Sequence, residues 1–228
     1  MVNTLTNDSN YENLNSFLYR AIKEMIWEKE LKPGSKIKQE HVAKLLGVSR
    51  TPLIKVLERL TSERMLEYIP RRGYFVKKLT FEEMLEIFTV RIVLEGVAIK
   101  EFTLKADDEE IDNLAKCFCQ FDNVWNKSKK KSYISCDQKF HDKIIQLADN
   151  SLIIDINEMF NIYRFSYQKG LMRAPAETLV EHLNIIEKVK ARDEKGAQIL
   201  MIEHLERSKN NISLVFENMI SEHDFIDW

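Results

Sequence analysis

Apolar residues recur at three- and four-residue steps from Tyr11 to Trp27. Leu14, Phe17, Leu18, Ala21, Ile22, Met25 and Ile26 fall on one face, which predicts an amphipathic helix. Lys32-Pro33-Gly34 breaks the pattern. A second helix is predicted over Gln39 to Leu46, carrying Val42, Ala43, Leu45 and Leu46, with Gly47 as a left-handed terminator. After Val48-Ser49-Arg50, a third is expected to open with Thr51 as its cap and Pro52 in its first turn. It continues through Leu53, Val56, Leu57 and Leu60. Two short helices around a glycine-bearing turn follow the helix-turn-helix plan. Met65 to Ile69 and Tyr74 to Val76 then read as short strands around the basic turn Pro70-Arg71-Arg72-Gly73, a hairpin that would form a wing.

From Thr80 onward the pattern is helical. Thr80 and Glu83 form a capping-box signature. Helices are predicted at about 80–104, 107–127, 131–148, 151–170, 175–191 and 193–220, with start signals at Asp107, Asn150-Ser151 and Asp193. Lys127 to Ser132 and Gly170 to Pro175 read as links. The expected fold is mainly α: an N-terminal winged helix-turn-helix with a small hairpin, residues 1–78, then an antiparallel all-α six-helix bundle, residues 79–228.

Composition sharpens this picture in three ways. The 228 residues suit two domains, and only 6 Gly and 4 Pro interrupt them. Apolar runs such as Leu152-Ile153-Ile154 are a few residues long, far shorter than the roughly 20 residues a membrane span needs. Met1 to Asn10 is polar and lacks a secretion signal, so a cytoplasmic protein with no membrane partner is expected. The formal net charge of −2 conceals an asymmetry. Residues 1–78 carry 15 Lys+Arg against 9 Asp+Glu, and the remainder carries 19 against 27. A basic head on an acidic body suggests a polyanion partner for the head. Three cysteines, Cys117, Cys119 and Cys136, form no pairing pattern that implies a disulfide framework. Cys117 and Cys119 are read as small apolar residues, and Cys136 as a neighbour of the site containing Asp137.

Pro33-Gly34, the run from His41 to Pro52 (His-Val-Ala-Lys-Leu-Leu-Gly-Val-Ser-Arg-Thr-Pro) and the run from Pro70 to Val76 (Pro-Arg-Arg-Gly-Tyr-Phe-Val) together resemble the DNA-binding domain of the GntR family, over roughly residues 11–78. A recognition helix enters the major groove by its N-terminal end, which places Arg50, Thr51 and Lys55 against phosphates or base edges of a double-stranded operator. Arg71 and Arg72 would follow a neighbouring groove or backbone, and Gly73 would let the turn approach closely. Where that family usually has Val-Arg-Glu, this chain has Leu53-Ile54-Lys55. The loss of an arginine at Ile54 implies either a different operator or greater reliance on Arg50 and Lys55.

The second domain, from about Thr80 to Ser221, resembles the FCD ligand-binding domain of the FadR-like branch. The resemblance lies in Val90-Arg91-Ile92-Val93-Leu94-Glu95, Asp137-Gln138-Lys139-Phe140-His141, Glu181-His182 and Glu203-His204-Leu205. Asp137 and His141 are four apart and share a helix face. His182 and His204 lie on apolar faces of the two following predicted helices. Packed as in that domain, three imidazoles and one carboxylate form a site for a divalent transition metal, with zinc first and nickel, iron or manganese also compatible. A small carboxylate-bearing effector would occupy open coordination positions. Arg91 either binds its acidic end or pairs with Glu95 one turn away. Tyr163, Arg164 and Tyr167 would line the same cavity or pack in the core. The resemblance also implies a homodimer formed through the helical domain, acting as repressor or activator. An alternative from another class is a metal-dependent hydrolase using Asp137 and the three histidines. The chain lacks a His-Glu-x-x-His signature, and a DNA-binding head is out of place on such an enzyme.

Overall fold

The computed structural model describes residues 5–122, 125–160 and 173–221. The chain divides into two compact units between Lys78 and Leu79.

In the first unit, α1 (Leu5–Trp27) buries Leu18, Ile22 and Ile26 at four-residue steps and packs on α3. Helix α2 (Gln39–Leu45) ends as expected at Gly47, whose φ is +68°. The Val48 N–H reaches the Ala43 carbonyl at 3.0 Å and the Gly47 N–H reaches that of Lys44 at 3.3 Å. This Schellman closure satisfies two orphan carbonyls and turns the chain sharply into α3. Helix α3 (Arg50–Ser62) starts earlier than expected. Ser49, with φ −77° and ψ 167°, is the cap, and Thr51 lies inside the first turn. Proline lacks only an N–H, and no N–H of the first turn has an intrahelical partner, so Pro52 tolerates several starting points. Pro52, Leu53, Val56, Leu57 and Leu60 form the buried face of α3.

Strands β1 (Leu66–Ile69) and β2 (Gly73–Val76) form an antiparallel hairpin in register from Leu66 opposite Val76 to Ile69 opposite Gly73. Residues 34–37 run along the other edge of β2, through Ile37 N–H to Tyr74 O at 2.8 Å and Val76 N–H to Ser35 O at 2.9 Å. In the hairpin turn the Arg72 N–H bonds to Ile69 O at 3.0 Å, and Arg71 has φ +65°. Proline followed by a left-handed residue is the type II arrangement, here with arginine where glycine is usual.

In the second unit every described element is a helix. Helix α4 (Phe81–Lys105) opens with the Thr80–Glu83 capping box expected for it. Helix α5 (Asp108–Lys116) has a second such box, from Asp107 and Glu110. It stops well short of the predicted residue 127. After Lys116 the chain turns, and Phe118 buries itself against Tyr133 and Phe140. The basic segment expected to be a link is instead the start of α6 (Lys127–Gln146). The Asn126 side chain accepts a hydrogen bond from the Lys129 N–H at 2.9 Å. That cap, and the good helix propensity of lysine, outweigh the unfavourable placing of cations at a helix N-terminus.

Helix α7 (Ser151–Phe160) starts as predicted, and the rest of the predicted 151–170 helix lies outside the described residues. Helices α8 (Pro175–Lys190) and α9 (Glu194–Ser221) complete the unit. Helix α9 packs on α4 and α8, α6 on α4, α5 on α8 and α7 on α6. Arg192, at φ +56°, follows the end of α8 and donates to the carbonyls of Thr103 and Ala106 at the end of α4. A further correction concerns the cysteines. Cys117 and Cys136 form a disulfide, because the turn after α5 lies against α6 and brings together residues 19 apart in sequence.

Candidate functional site

Three helices converge on one point inside the second unit. Helix α6 contributes Asp137 and His141, α8 contributes His182 and α9 contributes His204. All four residues are no more than 3% exposed. Candidate ligand atoms of the three histidines lie within 4.8 Å of one another. The Nε2 atoms of His141 and His182 are 3.3 Å apart. Two nitrogens held about 2.0–2.1 Å from a tetrahedral zinc stand about 3.4 Å apart, so this spacing fits one shared cation. The Asp137 carboxylate oxygens lie 3.8 Å from His141 Nε2 and 3.9 Å from His182 Nε2. The donor set, three imidazoles and one carboxylate, suits a divalent transition metal.

The opposite edge of each ring is anchored. His141 Nδ1 bonds to the Glu95 carboxylate of α4, whose other oxygen accepts from Arg91 Nε at 2.6 Å. Burial would raise the pKa of Glu95, but the Arg91 guanidinium and His141 override it and hold the value at about 2. Glu95 is therefore ionised and accepts the Nδ1 proton of His141, which turns the Nε2 edge of that ring toward His182. His204 Nδ1 is 2.7 Å from Glu181 Oε2. Burial again opposes ionisation of Glu181, but bonds from His204, Arg173 and Arg207 hold its pKa far below the ordinary carboxylate range.

His182 is oriented by a neutral relay. Thr178 Oγ1 donates to the carbonyls of Ala174 and Pro175, at 3.4 Å each. It is also hydrogen-bonded to the Tyr133 hydroxyl at 2.8 Å. The Tyr133 hydroxyl also lies in hydrogen-bond contact with His182 Nδ1 at 3.0 Å. With Nδ1 held by Tyr133, His182 turns its Nε2 edge toward His141. Burial first, then the neighbouring His204 and His141, pushes the His182 pKa well below its usual value, which keeps this imidazole neutral. Burial also lowers that of His204, against the opposing bond from Glu181. Phe118 stacks on the His182 ring at 4.8 Å and fixes its plane. Outer residues that hold the far edge of each ring and turn the other edges toward a common point are how a protein prepares a metal site.

Several of these residues escaped the sequence reading. Glu95 entered it only as a partner for Arg91, Glu181 only as a neighbour of His182, and Tyr133 and Thr178 not at all. The available signal was four-residue spacing: Tyr133-Asp137-His141 on α6, Thr178-His182 on α8 and Arg91-Glu95 on α4. Of the two readings of Arg91, the structure displays the pair with Glu95, both residues no more than 3% exposed. Tyr163, Arg164 and Tyr167 lie outside the described residues. Cys136 does adjoin the site, as expected, but is bonded to Cys117.

The first unit presents the other cluster of predicted residues. Arg50, Thr51 and Lys55 are exposed along α3, opposite its buried face, and Arg71 and Arg72 are exposed at the tip of the wing. Arg50 pairs with Glu40 of α2. Gly73, at φ +97°, joins the turn to β2. Ile54 is half-buried and offers no polar group at the position where an arginine was noted as missing.

A helix-turn-helix and hairpin followed by an all-helical unit define the architecture of a DNA-binding transcription regulator. The family model described as bacterial regulatory proteins, gntR family, matches residues 14–76, and the FCD domain model matches residues 86–207. The chain belongs to the GntR family and carries an FCD domain. It is 29% identical over 205 residues to the uncharacterized HTH-type transcriptional regulator YdhC of Bacillus subtilis (strain 168), covering 87% of this chain and 91% of that one. It is 21% identical over 202 residues to the HTH-type transcriptional repressor RspR of Escherichia coli (strain K12), covering 87% and 89%. Among solved structures, a transcriptional regulator GntR from Rhodococcus sp. RHA1 superimposes with a TM-score of 0.72 at 19% identity, covering 87% of this chain and 97% of the other. These domains and relatives identify a regulator and not an enzyme, which sets the hydrolase alternative aside.

Proposed function

We propose that this regulator reads its operator through α3 and the wing, and that its helical unit holds a divalent transition metal whose occupancy and effector binding modulate DNA affinity. The reading is carried by one observation: the Nδ1 edges of His141, His182 and His204 are all anchored, while the Nε2 atoms of His141 and His182 lie 3.3 Å apart beside Asp137 and a candidate ligand nitrogen of His204 lies within 4.8 Å of theirs. Asp137, His141, His182 and His204 would hold the cation, zinc first among zinc, nickel, iron and manganese. When bound, the ion supplies positive charge in a buried site and coordination positions that a carboxylate can fill. A small carboxylate-bearing effector is therefore the expected ligand, with Tyr163, Arg164 and Tyr167 as further candidates to contact it. Arg91 would act through Glu95, or on the effector if that pair opens. The protein would work as a repressor, as the name of the Escherichia coli relative suggests, in the cytoplasm where the bacterial chromosome lies.

DNA contacts are assigned to Arg50, Thr51, Lys55, Arg71, Arg72 and Gly73, which together offer cations and a close-approach turn on two neighbouring elements. A homodimer would match the two-fold symmetry of an operator. Its surface is assigned to α4, where Val90, Val93, Val97 and Leu104 form an exposed apolar stripe at helical spacing. A coupling of about 1–3 kcal/mol between effector and operator would give a useful response.

A thermal-shift screen of organic acids, with and without Zn2+, tests the sensing role. The expected outcome is an acid that raises the melting temperature only when Zn2+ is present, and not in the His182→Ala, His204→Ala double variant. Equal stabilisation of the double variant would contradict metal-assisted effector binding.

A further inference from the structure

The Cys117–Cys136 bond flanks the histidine site from two sides. Cys136 lies on α6 immediately before Asp137, and Cys117 lies immediately before Phe118, the ring stacked on His182. The two Cα atoms are 5.7 Å apart, within the ordinary disulfide range. Cys136 is 3% exposed and Cys117 is half-buried, so a small oxidant meets Cys117 first. A regulator must meet its DNA in a compartment that keeps thiols reduced, and disulfides formed there by mesophilic proteins are usually transient or redox-sensing.

We propose that Cys117 and Cys136 form a reversible oxidation site whose state alters the grip of the adjacent histidine and aspartate cluster. With hydrogen peroxide as oxidant, the Cys117 thiol attacks one peroxide oxygen, the O–O bond breaks, and a sulfenic acid (Cys117–S–OH) and one water form. The Cys136 thiol then attacks that sulfur. The S–S bond forms, the S–O bond breaks, and the departing oxygen leaves with the thiol proton as a second water. Two sulfurs are oxidised and one peroxide is reduced. A reducing thiol or phosphine returns both thiols. Closing the bond draws the turn after α5 onto α6, moving Phe118 relative to His182 and constraining the turn of α6 that bears Asp137. Opening it replaces a covalent tie with a van der Waals contact. The exposed Cys119 stands outside the pair.

The test uses the full-length protein, treated with a phosphine or with stoichiometric hydrogen peroxide, then alkylated and weighed. Three thiols should be alkylated in the reduced protein and one, Cys119, after peroxide. A cross-linked peptide should contain Cys117 and Cys136, and phosphine should restore all three thiols. In the Cys119→Ser variant, Zn2+ affinity should differ by about tenfold between the two states, a size typical of disturbed outer-shell contacts. In the Cys117→Ser, Cys136→Ser variant it should be the same after either treatment. Three alkylated thiols after peroxide, a cross-link through Cys119, or a bond the phosphine leaves closed would overturn the redox site. Equal Zn2+ affinity in both states would overturn its link to the cluster. The redox site itself does not depend on the metal reading. Zn2+ uptake in neither state would contradict that reading, and the thiol counts would still decide the redox site.

Discussion

At the scale of single residues, the site depends on groups that never reach its centre. Tyr133 is fully buried and joins Thr178 to His182 Nδ1. Removing its hydroxyl keeps the ring and its packing against Phe118 and Trp125. It leaves the His182 tautomer without its anchor. Tyr133→Phe should therefore fold, lose about 1 kcal/mol of stability and bind Zn2+ roughly 10–100-fold more weakly. Unchanged affinity in a competition titration would show that His182 needs no such orientation. The sequence made the proposed ligands legible, because histidines on apolar helix faces are conspicuous. It did not reveal the anchors. Tyr133 and Thr178 look like ordinary core residues until the turn order of hydrogen bonds across α6 and α8 is known. Glu181 looks like a solvated carboxylate until Arg173, Arg207 and His204 close around it.

At the scale of elements, start and stop signals decided what could be read. Gly47 and the Thr80–Glu83 box are local, and both appear where the sequence places them. Ser49 rather than Thr51 caps α3, since Pro52 is compatible with either. The end of α5 and the disulfide beyond it could not be read locally. Both depend on Phe118 finding a pocket made by α6 and α8. The wing shows a local rule broken at a proposed contact. Arg71 occupies a left-handed conformation that costs a non-glycine residue roughly 1–2 kcal/mol. Strain of this kind collects where function needs the side chain. Arg71→Gly should therefore stabilise the first unit by about 1 kcal/mol, after allowing for the greater unfolded-state freedom of glycine. The same change should weaken operator binding and reduce its salt-dependence slope by about 1. Thermal melts paired with salt-titrated gel shifts check both. A variant that melts higher and binds DNA as well as the parent would remove Arg71 from the interface.

At the scale of the whole molecule, the basic balance of residues 1–78 and the acidic balance of the rest correspond to two separately packed units. This division was visible in charge and in the change from mixed to purely helical patterning. The apolar stripe on α4 was not, because a run such as Val90 to Leu104 reads as core until the exposed side is seen. Val93, 61% exposed, lies in that stripe. For the homodimer proposed above, Val93→Glu should shift the protein from dimer to monomer in sedimentation velocity with helix content retained. A persisting dimer would place the association surface elsewhere.

The claim joining these scales is that Asp137, His141, His182 and His204 share one cation. Elemental analysis of natively purified protein measures it directly. About one divalent transition metal per chain is predicted for the parent, and none for the His182→Ala, His204→Ala variant. A parent protein that carries no such metal and takes none up on soaking in Zn2+, Ni2+, Fe2+ or Mn2+ would contradict it.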